Sequence, residues 1–220
     1  CDEEDLEEIN IRAEADPNED QIPAITLTST NAQATQINLR ELNKLDSSAK
    51  TYPAKIEGMV NPAQLPAEQH LVLKEGAQVM TLRNDPAKNY INGSIGILEE
   101  LRPQSILVRF PHQEQSVEIP LATWEIVRYV YEDQTIKVNP VGSFTQLPVK
   151  LAWAVTIHKS QGKTFEKAII DLGRGAFENG QTYVALSRCR TLDGVYLTQK
   201  LNWKDIRTDE RVADFIRQWR

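Results

Sequence analysis

The sequence predicts an α/β domain interrupted by a small antiparallel β barrel, and three observations carry that expectation. Near the start, an alternating β-branched run leads through a cluster of capping residues into a helical pattern. In the middle, short strand-like runs follow one another with turn signals and no helix between them. After Pro148, buried-strand and helix patterns return. At 220 residues and 40% hydrophobic content, the chain has enough apolar material for a substantial core.

Taken in order, Leu6, Ile9 and Ala13 share one helical face, and Pro17 with Asn18 stops that segment. Residues 24–28 alternate and read as a strand. Ser29, Thr30 and Asn31 then offer N-caps to a helix with Ala34, Ile37 and Leu42 on one side. Residues 46–75 hold three prolines and read as irregular, with one strand around 52–56. Runs at 77–82, 94–98, 105–110, 116–119 and 124–131 form the expected barrel, separated by Asn84-Asp85-Pro86, Asn92-Gly93, Arg102-Pro103 and Pro111-His112. Strands follow at 151–155, 168–172 and 194–198, with a helix over 181–189. Val212, Phe215, Ile216 and Trp219 make the apolar face of a final helix. The expected division is 1–75, 76–148 and 149–220.

Charge and composition narrow the function classes. The net charge of −6 is uneven: residues 1–20 carry −9, the other 200 carry +3, and the segment from Lys150 onward carries +5. A mildly basic body therefore sits behind an acidic leader, which reads as a solvated helix or frayed end. No apolar run approaches the ~20 residues of a membrane span, so a soluble protein without a membrane partner is expected. The acidic first ten residues do not resemble a secretory leader, and Cys1 with Cys189 cannot form a disulfide framework, which favours a reducing compartment. Three scattered histidines give no zinc-ligand spacing, so no metal site is expected. A first residue other than Met points to a piece of something longer.

Gly162-Lys163-Thr164 ends like a phosphate loop, but the glycine required earlier in that motif is Ile157. Asp171, at a strand end, is read as an ordinary strand-terminal acid rather than a magnesium ligand. The cluster from Thr156 to Gly162 is more informative. It places hydroxyls, an imidazole, an ammonium and a carboxamide directly after a buried strand, where open α/β sheets bind ligands. Such groups suit phosphate oxygens of a nucleotide or of a nucleic-acid backbone, and they equally suit a helix cap. Arg188 and Arg190, near the end of the 181–189 helix, either complement its dipole or aim a guanidinium at a phosphate.

The run T-I-H-K-S-Q-G-K-T-F-E at 156–166, followed by Q-T-Y-V-A-L-S-R-C-R at 181–190, resembles motifs V and VI of superfamily 1 DNA helicases, most closely the RecD-like and Pif-type subgroup 1B. L-T-S-T-N at 27–31, with Asn38, resembles that subgroup's motif IV. The resemblance implies the second of two RecA-like motor domains, a parallel sheet with flanking helices, interrupted by an SH3-like barrel. It implies that Arg188 reaches the γ-phosphate of ATP and that Gly162 and Glu166 lie on the nucleotide side. It assigns Thr30, Asn31, Thr156, His158 and Ser160 to single-stranded DNA. Motifs I, II and III are absent, so ATP and Mg2+ are expected to be bound mainly by an N-terminal RecA-like domain of the same longer protein, cytoplasmic and nucleoid-associated. A nucleic-acid-binding or protein-interaction module without ATPase activity is the alternative.

Overall fold

The computed structural model describes residues 2–17, 22–132 and 135–218. Asn18 and Trp219, named above as helix-stop and helix-face residues, and Cys1 lie outside them. Two compact units emerge, one built from Cys1–Glu41 with Ala152–Arg220 and the other from Leu42–Leu151. The second unit begins well before the expected boundary at 76, because residues expected to be irregular form strands that pair within it.

In chain order the elements are α1 (Glu3–Asn10), β1 (Ile25–Thr28), α2 (Asn31–Lys44), β2 (Lys50–Pro53), β3 (Lys55–Gly58), β4 (His70–Leu73), β5 (Gln78–Thr81), β6 (Ile95–Leu101) and β7 (Ser105–Arg109). They continue with β8 (Val117–Pro120), β9 (Ala122–Glu132), β10 (Thr135–Gln146), β11 (Val149–Leu151), β12 (Ala154–Thr156), α3 (Ile157–Ser160), β13 (Ala168–Asp171), α4 (Gln181–Leu186), β14 (Val195–Leu197) and α5 (Glu210–Gln218).

The first unit is organised by a four-stranded parallel sheet in the order β12-β1-β13-β14. Its strands are short and nearly all apolar, as parallel strands covered on both faces must be. Ile25, Leu27, Val155, Ala168, Ile170, Val195 and Leu197 are all buried. Both outer edges are covered by side chains. On β12, the Asn38 carboxamide donates to the Ala154 carbonyl and accepts from the Ala154 N–H, both at 2.9 Å. Beside β14, Arg12 donates to the carbonyls of Val195 at 2.7 Å and Asp193 at 2.6 Å. Asn10 there makes the same two-way bond to Leu201, at 2.9 and 2.7 Å. The described part of the acidic leader is thus a helix with exposed acids, as one expected reading had it, anchored beside the sheet by Asn10 and Arg12, and Arg12 also stacks its guanidinium over the Tyr196 ring.

The second unit is antiparallel. Strands β11-β5-β6-β7-β8 form a five-stranded sheet whose inner face buries Val79, Leu98, Ile106, Val108, Ile119 and Val149. Among the described residues β11 and β8 do not pair with one another, so this sheet is open where a closed barrel was expected. The long strands β9 and β10 pair with each other from Ala122↔Gln146 to Glu132↔Thr135, and β10 takes β3 on its other side. The small sheet β2-β4 is tied in by the buried Gln146, whose amide donates to the carbonyls of Tyr52 and Glu68.

Candidate functional site

The loops at the carboxyl ends of β1 and β12 carry most of the sequence-nominated residues. After β1, Ser29 donates its hydroxyl to the Leu172 carbonyl and Thr28 donates to the Thr30 carbonyl, fixing a sharp exit from the strand. Thr30 Oγ1 then accepts the Gln33 N–H at 3.3 Å, the N-cap bond expected from sequence. Thr30 and Asn31 are both exposed at the start of α2. Seven residues on from Asn31, the same helix supplies the Asn38 clamp on β12.

After β12 the chain turns into the one-turn helix α3. Thr156 is buried and caps it, accepting the Lys159 N–H at 3.4 Å. Ser160 is fully buried and returns its hydroxyl to the Ile157 carbonyl at 2.6 Å. These two hydroxyls, expected to face DNA, are therefore turned inward, where they hold the shape of the turn. His158 does face outward and pairs with Glu178 at 2.7 Å. Gly162 takes φ +74°, a left-handed conformation that glycine adopts without strain, and space is open where a Cβ would stand. Glu166 is exposed beyond it.

Arg188 joins this loop to the end of α4. The helix stops at Leu186, short of the expected 189, and Arg188 lies just past it with its carbonyl accepting the Phe165 N–H at 2.8 Å. Its guanidinium donates to the carbonyls of Val184 at 2.8 Å, Lys163 at 3.1 Å and Ser160 at 3.4 Å, and to the Ser187 hydroxyl at 2.8 Å. The fork thus clasps carbonyls on both sides of Gly162. Its charge answers several partial negative charges at once rather than simply following the helix dipole. Arg190 is exposed.

Other groups complete the setting. Asp171 accepts from Gln33 Nε2 at 2.6 Å and from the Gly173 N–H at 2.9 Å, the behaviour of a strand-terminal acid. A Cβ at Gly194 would stand 2.1 Å from the Glu166 carbonyl oxygen, so only glycine lets the segment before β14 approach the site loop this closely. Cys189 donates to the Gly194 carbonyl, and burial pushes its thiol up to about 11. Burial likewise lowers the Lys163 ammonium from its ordinary value. Gln181, the first residue of the motif VI run and given no site role from sequence, is 4% exposed. Its Oε1 accepts the Phe177 N–H, while its Nε2 is a buried donor with no partner among the described residues. No local sequence signal reveals its burial.

No family model matches the chain. The ATP-dependent DNA helicase Pif1 of Bdellovibrio bacteriovorus is 31% identical over 204 residues, covering 90% of this chain and 44% of that relative. Unliganded Pif1 from Bacteroides sp matches all of the chain and 51% of the solved one, with a TM-score of 0.85 and 33% identity. Bacteroides Pif1 bound to ssDNA matches 97% of the chain and 50% of its own, with a TM-score of 0.73 and 34% identity. The chain thus spans about half the length of these relatives. Over most of that span, in sequence and in its mixed α/β fold with a parallel sheet, it is a homologue of the Pif1 family of ATP-dependent DNA helicases in superfamily 1B.

Proposed function

We propose that the chain is the second motor portion of an ATP-dependent helicase that moves 5'→3' on single-stranded DNA and unwinds duplex, its phosphate loop and magnesium acids lying on an N-terminal RecA-like domain of the same protein. The single observation that carries this reading is the Arg188 fork. One side chain from the motif VI segment holds the motif V loop on both sides of Gly162. A residue set to answer phosphate charge is thereby mechanically tied to the loop beside the DNA-facing turn.

The residues present fit a nucleotide. Gly162 leaves room for backbone approach, and Gln181 Nε2 is a donor awaiting an acceptor. Gly162, Glu166 and Arg188 are the groups that would hold it. ATP, when bound, supplies the phosphoanhydride bond and the negative charge. The rest is done by the chain's own residues. When the Arg188 guanidinium leaves the Ser160 and Lys163 carbonyls, the loop loses two tethers and α3 is free to shift at its end. Thr30, Asn31 and His158, exposed at the ends of β1 and β12, meet DNA phosphates independently of sequence, while Thr156 and Ser160 keep the loop in shape. The open antiparallel unit corresponds to an SH3-like insertion that guides the strand. A cytoplasmic, nucleoid-associated protein acting in DNA repair or recombination fits this activity.

The test is direct. The gene upstream of Cys1 should encode G-x-x-x-x-G-K-[ST] and an acidic motif II, and the purified 220-residue chain should turn over no ATP above the buffer rate. Robust hydrolysis by the chain alone, or an upstream sequence without those motifs, overturns the half-motor reading in favour of a binding module.

A further inference from the structure

Apart from the Arg188 loop, the first unit has a groove of about 650 Å3. Its apolar floor includes Ile9 of α1, Tyr183 and Leu186 of α4, Ile206 in the segment before α5, and Val212 of α5. Tyr183 and Val212 are 75% and 52% exposed, and the apolar face of α5 continues beyond the groove through the exposed Ile216. One rim is α1, which contributes Asp5 and Glu8. Glu3, Glu4, Glu7 and Glu8 are exposed on this helix and enter no ion pair among the described residues. On the opposite rim Asp209 is already satisfied by Arg211, which holds its carboxyl below the usual range, and Arg207 donates to the Ala176 carbonyl. The electrostatic demand is therefore concentrated on the α1 side.

The leader's own anchoring makes that rim a fixed wall. Asn10 and Arg12 lock it to Leu201, Val195 and Asp193. A stationary negative wall beside an apolar trough flanked by helices has the shape in which an amphipathic helix lays its apolar face, and the uncompensated carboxylates select the sign of its polar face. We propose that this groove receives a lysine- or arginine-rich amphipathic helix of a partner protein, its apolar face on Tyr183 and Val212 and its cations against α1. The proposal rests on charge complementarity and groove shape, and stands apart from the nucleotide and DNA assignments.

The test uses the whole 220-residue chain and a fluorescent peptide of about 18 residues, five turns of helix, with leucines at i, i+3, i+4 and i+7 and lysines elsewhere. Counterparts carry glutamate in place of lysine, or the same residues with the leucine spacing scrambled. The lysine peptide should bind, more weakly as salt rises, while both counterparts bind at least about tenfold less well. Glu4→Lys/Glu8→Lys, a surface change, should lower affinity about tenfold, and Val212→Asp should do the same. Equal melting temperatures of variant and parent chains separate lost binding from lost folding. Absence of binding, equal binding of the glutamate peptide, or indifference to Glu4→Lys/Glu8→Lys overturns the proposal. A concentration-dependent dimer that Val212→Asp dissolves assigns the groove to a second copy instead, and equally overturns it.

Discussion

The two edges of the parallel sheet are each held by side chains that bond the backbone, a carboxamide at β12 and a guanidinium at β14, and serve different ends. At β12, Asn38 bonds both polar groups of Ala154, and the strand runs straight on into Thr156 and the site loop. At the other edge, Arg12 bonds the carbonyls of Val195 on β14 and of Asp193 before it, and Asn10 bonds both polar groups of Leu201, four residues past the strand. A sheet edge needs its exposed peptide groups covered, and a carboxamide does so without adding a strand. The difference lies in redundancy and position. The β12 clamp is single and stands on the helix that begins at Thr30, so it ties the two expected DNA-facing turns to one element. The β14 clamp is shared among residues of the leader, and Arg12 holds the two carbonyls that flank Gly194, the glycine that packs against Glu166.

Breaking the β12 side should therefore cost function first. In the intact protein, Arg188→Ala should lower DNA-stimulated ATP hydrolysis by about 10³-fold or more, measured by phosphate release, with single-strand affinity within a few-fold of the parent. Equal losses in both would make Arg188 a purely structural tether. Asn38→Ala leaves a buried strand peptide without its partners and should cost about 2–4 kcal/mol in urea unfolding of the chain. In the intact protein it should also weaken single-strand binding. Asn10→Ala should cost less, about 1–2 kcal/mol, because Arg12 remains, and should leave DNA binding unaltered. A larger loss for Asn10 than for Asn38 would reverse the comparison. Thr30→Ala removes one helix cap, worth about 1 kcal/mol.

A further effect, confined to alkaline solution, is a pH dependence. The Cys189 thiol is raised in the folded chain, to about 11, above its ordinary value near 9. The folded state thus prefers the neutral thiol. That contribution is complete below the ordinary value and is lost as pH climbs through the folded one. Thermal melting should fall more steeply between about pH 9 and 11 for the parent than for Cys189→Ala. Parallel curves would remove the effect.

Much of the site could be read in the sequence because it is local. Thr30 caps α2, and the 156–162 cluster turns directly after a buried strand. What escaped depends on distance along the chain or on compensation. Asn10 and Arg12 meet partners more than 180 residues away, so nothing near them signals their role. Strand β10, unassigned from sequence, contains Pro140 and Gly142, and a register shift between them absorbs the proline. Strand β4 sits in a proline-bearing stretch and becomes visible only through its pairing with β2. The helix at 181 ends early because Phe165 takes the Arg188 carbonyl and draws the chain into the loop, a tertiary event acting on a sequence that favours helix.

Strand β1 emerges well before both of its neighbours, β12 and β13, and the Thr28 to Val155 bond spans 127 positions. At a synthesis rate of about 5–20 residues per second, Ile25 and Leu27 wait roughly 6–25 s on the ribosome before either neighbour exists. The intervening unit, Leu42–Leu151, pairs within itself and can fold during that interval, shortening the loop whose closure the sheet must then complete. A nascent chain stalled after β11 would be expected to hold a folded antiparallel unit and an unpaired β1, a chaperone substrate made by topology alone.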